Sequence, residues 1–177
     1  MVLSSAGYKT ILLSGDLRKP KTHEDFNINN SLGLSTYLIN KCSLSEILNK
    51  TEIDNLKVIT SGPIPPNPAE LLNSKRMDDL MKELKKEFEY IIIDTPPVGL
   101  VTDGVITMKY SDITLYIVRH NYTKKNMLNM INNLHSTNQI NNTNIIINDY
   151  QIGSSSYGYG YGYGYGYSYG DGHGYYE

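Results

Sequence analysis

The sequence predicts an α/β protein with a doubly wound, mostly parallel sheet, closed by a flexible tail. Five short apolar runs rich in β-branched residues begin at Thr10, Leu56, Tyr90, Ile113 and Asn144, and helix-like segments separate them. The run Tyr90 to Ile93 has no polar alternation, which suits a strand buried on both faces of a parallel sheet. Four of the runs end in polar or charged loops, so Asp16, Gly62, Asp94 and Arg119 are expected along one rim, where open α/β sheets bind ligands.

Taken in order, Met1 to Ala6 reads as the last turn of a helix, with Gly7 as a left-handed stop and Thr10 to Leu13 as the first strand. In an alternating βαβ domain a strand and a loop are expected before such a helix. Ser14-Gly15-Asp16-Leu17-Arg18-Lys19-Pro20 then places a carboxylate and two cations at the strand's carboxyl end. Asp16 suits a metal and Arg18 and Lys19 suit phosphate, while a solvated charged loop explains the same heptapeptide. Ser31 to Asn40 fits a short amphipathic helix, and Ser43 with Glu46 forms a capping box for another through Leu48.

Leu56 to Thr60 reads as a strand that leads into a rigid loop, Ser61 to Pro68, where Asn67 and Pro68 supply the cap and first position of a helix. Ser74 caps a longer helix whose apolar stripe is Met77, Leu80, Met81, Leu84 and Phe88, with Lys82, Lys85 and Lys86 off it. Asp94 arrives where the Tyr90 strand emerges, and Pro96 and Pro97 stop a helix from starting at once. It reads either as a Walker B carboxylate beside a nucleotide or as an aspartate that begins a turn. Thr102 and Asp103 start a helix, Thr123 caps one reaching Leu134, and strands run from Ile113 to Val118 and from Asn144 to Ile147.

Residues 1–152 are thus one α/β domain and 153–177 a tail. Glycine at every second position makes the tail costly to order. It holds nine of the 16 tyrosines: Tyr157, Tyr159, Tyr161, Tyr163, Tyr165, Tyr167, Tyr169, Tyr175 and Tyr176. A phosphorylatable cluster, low-complexity filler and a self-associating segment all fit that composition. The net charge of −2, from 16 basic and 18 acidic side chains, implies no general attraction to nucleic acid or anionic lipid. A single cysteine, Cys42, excludes an internal disulfide and suits a reducing compartment. With no secretory signal pattern and no long apolar run, the chain reads as soluble and cytosolic.

Ile11 to Pro20 (I-L-L-S-G-D-L-R-K-P), Pro65 to Leu72 (P-P-N-P-A-E-L-L), Tyr90 to Val98 with Val101-Thr102-Asp103, and the tyrosine cluster together resemble the bacterial protein-tyrosine kinases that regulate capsular and exopolysaccharide export. These carry a deviant P-loop NTPase fold shared with MinD and ParA proteins. The resemblance implies ATP and Mg²⁺ as cofactors, a second Walker motif (A′) at Ser14 to Arg18 and Walker B at Ile91 to Asp94. It implies Asp16 and Asp94 as catalytic metal-holding residues, Arg18, Asp94 and Asn148 as nucleotide contacts, and the nine tail tyrosines as phospho-acceptors. Asp103 and Arg119 match family positions near the site. The implied partners are like protomers in a ring, a membrane polysaccharide co-polymerase region and a tyrosine phosphatase. The expected place is the cytoplasmic face of the plasma membrane, reached through a partner or an N-terminal region. Two departures stand out: Ser14 replaces a family aspartate, and the loop G-x-x-x-x-G-K-[ST] occurs nowhere in the sequence. Two readings follow, the C-terminal part of such a kinase and a non-catalytic phospho-acceptor or scaffold derived from one. A MinD-like ATPase is a third, against which the tail argues.

Overall fold

The computed structural model describes residues 1–97, 102–136 and 142–150. In chain order the elements are α1 Val2–Ser5, β1 Thr10–Ser14, α2 Thr22–Asp25, α3 Leu34–Leu38, α4 Leu44–Ile47, β2 Asn49–Lys50 and β3 Leu56–Ile59. They continue with α5 Pro68–Leu72, α6 Lys75–Glu87, β4 Tyr90–Asp94, α7 Asp103–Met108, β5 Thr114–Arg119, α8 Lys125–Ser136 and β6 Thr143–Asn148. The five expected strands are all present and run parallel to their hydrogen-bonded neighbours, with the short antiparallel β2 added at one edge.

Hydrogen bonding divides the strands into two sheets, one in the order β2-β3-β1-β4 and one pairing β5 with β6. β1 is central in the first: Thr10 lies opposite both Leu56 and Tyr90, and Ser14 lies opposite Asp94. Arg119 therefore ends a strand of the second sheet, while Asp16, Gly62 and Asp94 follow or end strands of the first. The single continuous rim expected from the sequence is interrupted, because no hydrogen bonds join β4 to β5 among the described residues.

The main core lies on one face of the first sheet. Ile11 and Leu13 of β1 and Ile59 of β3 are fully buried there, Ile91 and Ile93 of β4 pack against them, and helices supply Leu34, Ile47, Leu72 and the α6 stripe. Met77, Leu80 and Leu84 are fully inaccessible and Met81 nearly so, as their helical spacing predicts, while Lys82, Lys85 and Lys86 are exposed. Each such side chain contributes about 2 kcal/mol through burial. The Ser74 hydroxyl accepts from the Met77 amide at 3.3 Å, and the Ser43 amide donates to Glu46 at 2.8 Å, so both expected caps form. Thr123 differs: its hydroxyl accepts from the Arg119 amide at 2.8 Å and so closes the turn after β5. The Asn67 side chain donates to Glu70 at 2.7 Å and makes no bond to the helix backbone.

The helix expected over Ser31 to Asn40 is shortened to α3, which begins at Gly33 where the chain crosses the loop after β3. The Leu34 and Ser35 amides donate to the carbonyls of Thr60 and Ser61, both at 2.8 Å. A Cβ at Gly33 would fall on the backbone of Gly62 and on the Thr60 carbonyl oxygen. The φ of Gly33 is ordinary extended backbone, so the requirement is for space. Gly33→Ala is expected to lower stability by about 1–3 kcal/mol, read as a lower urea midpoint at unchanged slope.

Candidate functional site

The candidate site forms where β1 and β4 end side by side. Asp94 is the last residue of β4, and its carbonyl accepts the Gly15 amide at 2.7 Å. A Cβ on Gly15 would stand 2.8 Å from that same oxygen, so only glycine lets the two strand ends meet this closely. Asp16 follows at once, and its Oδ1 accepts the amides of Arg18 at 2.9 Å and Lys19 at 3.0 Å. This Asx-type turn fixes one carboxylate oxygen by the loop's own backbone.

The two carboxylates interact. The Asp94 pKa is raised, first because packed atoms desolvate a side chain that still reaches solvent, and second because of the charge on Asp16. The Thr22 hydroxyl and the Thr95 amide oppose that rise. Among the described residues no ion pair neutralises either aspartate. Two acids without a counter-cation suit a hard divalent ion. No cluster of three or more histidine, cysteine or acidic side chains that could hold a metal ion exists among the described residues. Ser14 is buried and accepts a hydrogen bond from the Thr22 hydroxyl at 3.2 Å.

Arg18 is engaged elsewhere. Its guanidinium forks onto Asp103, with Nε donating to Oδ2 at 2.7 Å and Nη2 to Oδ1 at 3.1 Å. That bond is the main reason the Arg18 pKa is raised. Asp103 is completely buried, so the pair fastens the loop after β1 to the start of α7. An open groove of about 480 Å³ lies alongside, lined by Arg18, Lys19, Lys21 and His23 on one wall and by Gly62, Pro63 and Ile64 on the other.

Asn148 stands apart, at the end of β6 opposite Arg119. Its carbonyl accepts the His120 amide at 2.9 Å, and Arg119 pairs with Asp149 at 2.8 Å and lies over the Tyr122 ring. Among the described residues no hydrogen bond or ion pair joins this group to Asp16 or Asp94. The structure thus brings Asp16 and Asp94 together, turns Arg18 to Asp103 and leaves Asn148 on the second sheet. The nine tail tyrosines and residues 98–101 lie outside the described residues. Sequence reading passed over Thr22 and Asp149; Thr22 stands only six residues after Asp16, but its hydroxyl gains meaning from tertiary contact alone.

The AAA domain family matches residues 1–147. The putative tyrosine-protein kinase CapB of Staphylococcus aureus is 44% identical over 103 residues, 58% of this chain and 45% of that protein. The crystal structure of the chimerical protein CapA2B2 superposes with a TM-score of 0.79 at 36% identity, covering 85% of this chain and 66% of that one. The kinase domain of the Escherichia coli tyrosine kinase ETK does so with a TM-score of 0.81 at 29% identity, covering 92% and 64%. The chain spans about half, or less, of the length of the curated relatives it matches. No described helix is long and apolar enough to cross a membrane. By the extent of the family match and the agreement of sequence with fold, the chain belongs to the AAA domain family, where its relatives are bacterial tyrosine-protein kinases.

Proposed function

We propose that these residues form the C-terminal part of a bacterial tyrosine autokinase, which passes the γ-phosphate of ATP to tyrosines of its own C-terminal cluster and so regulates capsular or exopolysaccharide synthesis and export. The observation that carries this reading is the pair of unneutralised carboxylates, Asp16 and Asp94, at adjacent ends of β1 and β4. Phosphoryl transfer depends mainly on positioning and charge stabilisation, and bound Mg²⁺ would supply part of that charge stabilisation. Asp16 and Asp94 would hold the ion, and the Arg18–Asp103 pair keeps the Asp16 loop in place. A carboxylate that holds the ion loses basicity, so Asp94 is assigned to the metal and not to the proton of the attacking tyrosine. Ser14, already bonded to Thr22, takes no proton.

The phosphate-binding loop comes from outside these 177 residues. Arg18 and Asn148 would be contacts to the nucleotide. The boundary at residue 153 separates the kinase-like domain from its acceptor tail, and like protomers present their tails to one another in a ring. A membrane polysaccharide co-polymerase region holds the assembly at the inner face of the plasma membrane, and a tyrosine phosphatase resets it. Each phosphate adds about −1.5 to −2 charge, so a heavily modified tail repels itself and the acidic rim.

Joined to a Walker A segment, the chain is expected to label its tail from ATP and Mg²⁺, and Asp94→Asn or Asp16→Asn should reduce that labelling about a hundredfold. Tolerance of both changes would remove the rim from the reaction. Replacing one tail tyrosine by phenylalanine should change little, whereas replacing all nine should abolish labelling; phosphate found by mass spectrometry chiefly on Tyr8, Tyr37, Tyr90 or Tyr116 contradicts the acceptor assignment.

Asp94 also makes a prediction about stability. Its folded pKa lies above its unfolded value, so the folded state holds the proton more tightly and stability falls as pH rises through that window. Asp94→Asn is therefore expected to raise the melting temperature of the metal-free chain at neutral pH by a few degrees and to flatten the acid side of its stability profile. Mg²⁺ should stabilise the parent chain and leave the variant unmoved, both read by thermal melts.

A further inference from the structure

Thr22 is only 6% exposed, and a buried hydroxyl costs free energy unless it is hydrogen-bonded, so packing alone would favour valine at this position. Nor does its hydroxyl serve the helix that it opens. α2 runs from Thr22 to Asp25 with Lys21 as its cap, and no side-chain bond closes that end. The hydroxyl leaves the helix and turns toward the ends of β1 and β4.

Two partners meet it there. Ser14 Oγ lies 3.2 Å away and is wholly buried, and the Asp94 carboxylate takes a hydrogen bond from Thr22 that holds its pKa down against the burial that raises it. Ser14 and Asp94 stand opposite each other in the β1–β4 register, so one hydroxyl serves a neighbouring pair. A hydroxyl has one proton to give. Bonds to an ionised carboxylate are about twice as strong as bonds between neutral groups, so the proton goes to Asp94 when that residue is charged. The Ser14 hydroxyl then rotates and donates to Thr22 Oγ across the same contact, and the order runs from Ser14 to Thr22 to Asp94.

The two acids of the rim are thus held in different ways. Asp16 is fixed by its own loop, through the amides of Arg18 and Lys19 on Oδ1. Asp94 ends a strand and takes one donor from its own segment, the Thr95 amide, while the Thr22 donor comes from α2. The same helix carries Asp25, whose charge raises the Asp94 pKa, so within α2 the Thr22 donor opposes the Asp25 charge. A carboxylate that binds an ion is kept in orientation by hydrogen bonds from its surroundings, and their loss typically weakens metal affinity by about 10–100-fold.

We propose that Thr22 is a positioning residue for the metal at this rim: its hydroxyl, backed by Ser14, holds the Asp94 carboxylate in the orientation that a divalent cation would meet. The inference rests on the reading of Asp16 and Asp94 as the residues that would hold Mg²⁺. It adds a residue of α2 that acts through Asp94 and not on the ion itself.

The test is Mn²⁺ binding by the purified 177-residue chain, with Mn²⁺ as the oxygen-seeking stand-in for Mg²⁺ and the free-ion signal in electron paramagnetic resonance as the readout. Thr22→Val is expected to weaken Mn²⁺ binding about tenfold or more, and Thr22→Ser, which keeps the hydroxyl, to bind within about twofold of the parent. In metal-free thermal melts the loss caused by Thr22→Val should shrink in the Asp94→Asn background, because the two side chains are in contact. If Thr22→Val loses its far-UV circular dichroism, Thr22→Ala takes its place in both measurements. Parent-like Mn²⁺ binding by Thr22→Val, failure of Thr22→Ser to restore it, or equal melting losses in the two backgrounds overturns the inference and leaves the kinase reading standing. A parent chain that binds no Mn²⁺ removes the ion from the rim and overturns both.

Discussion

Everything at the candidate site depends on the backbone contact between Gly15 and Asp94. The central strand β1 pairs in register with β4 up to Ser14 opposite Asp94, and the Gly15 amide then closes on the Asp94 carbonyl. Any side chain at position 15 would push that carbonyl away. With glycine there, Asp16 comes near enough for its charge to raise the pKa of Asp94. The acidic rim follows from how two parallel strands end, and the loop's Asx-type turn fixes only the orientation of Asp16.

Arg18 shows how the surrounding structure holds this rim. A completely buried carboxylate without a partner would be strongly destabilising, and Asp103 is satisfied by two charged hydrogen bonds from a side chain 85 positions away in sequence. The bond serves two segments at once, holding the loop after β1 and anchoring α7. Val105 and Met108 of α7 and Tyr116 of β5 all pack against Ile131 of α8, near where Arg119 and Asn148 end their strands. No strand-to-strand hydrogen bonds join the two sheets among the described residues.

Burial is uneven between the two sheets. The main core is densely packed, with Met77, Leu80 and Leu84 wholly inaccessible, while Leu115 and Ile117 of β5 and Ile145, Ile146 and Ile147 of β6 are exposed.

The sequence by itself determined the five parallel strands, the α6 stripe, two helix caps and the position of Asp94 at a strand's carboxyl end. These features are set by periodicity and by the chemistry of neighbours a few residues apart, which a linear reading senses directly. It also carried the resemblance to tyrosine kinases, since the motifs around Asp16, Asn67 and Asp94 are local. The tertiary structure decided that Arg18 serves Asp103, that Ser14 meets Thr22, that α3 is trimmed by the Gly33–Gly62 crossing, and that Arg119 and Asn148 stand on a second sheet. Each of these depends on which distant segments become neighbours, and strand order in a parallel sheet is fixed by crossovers and packing that leave no local trace in the chain.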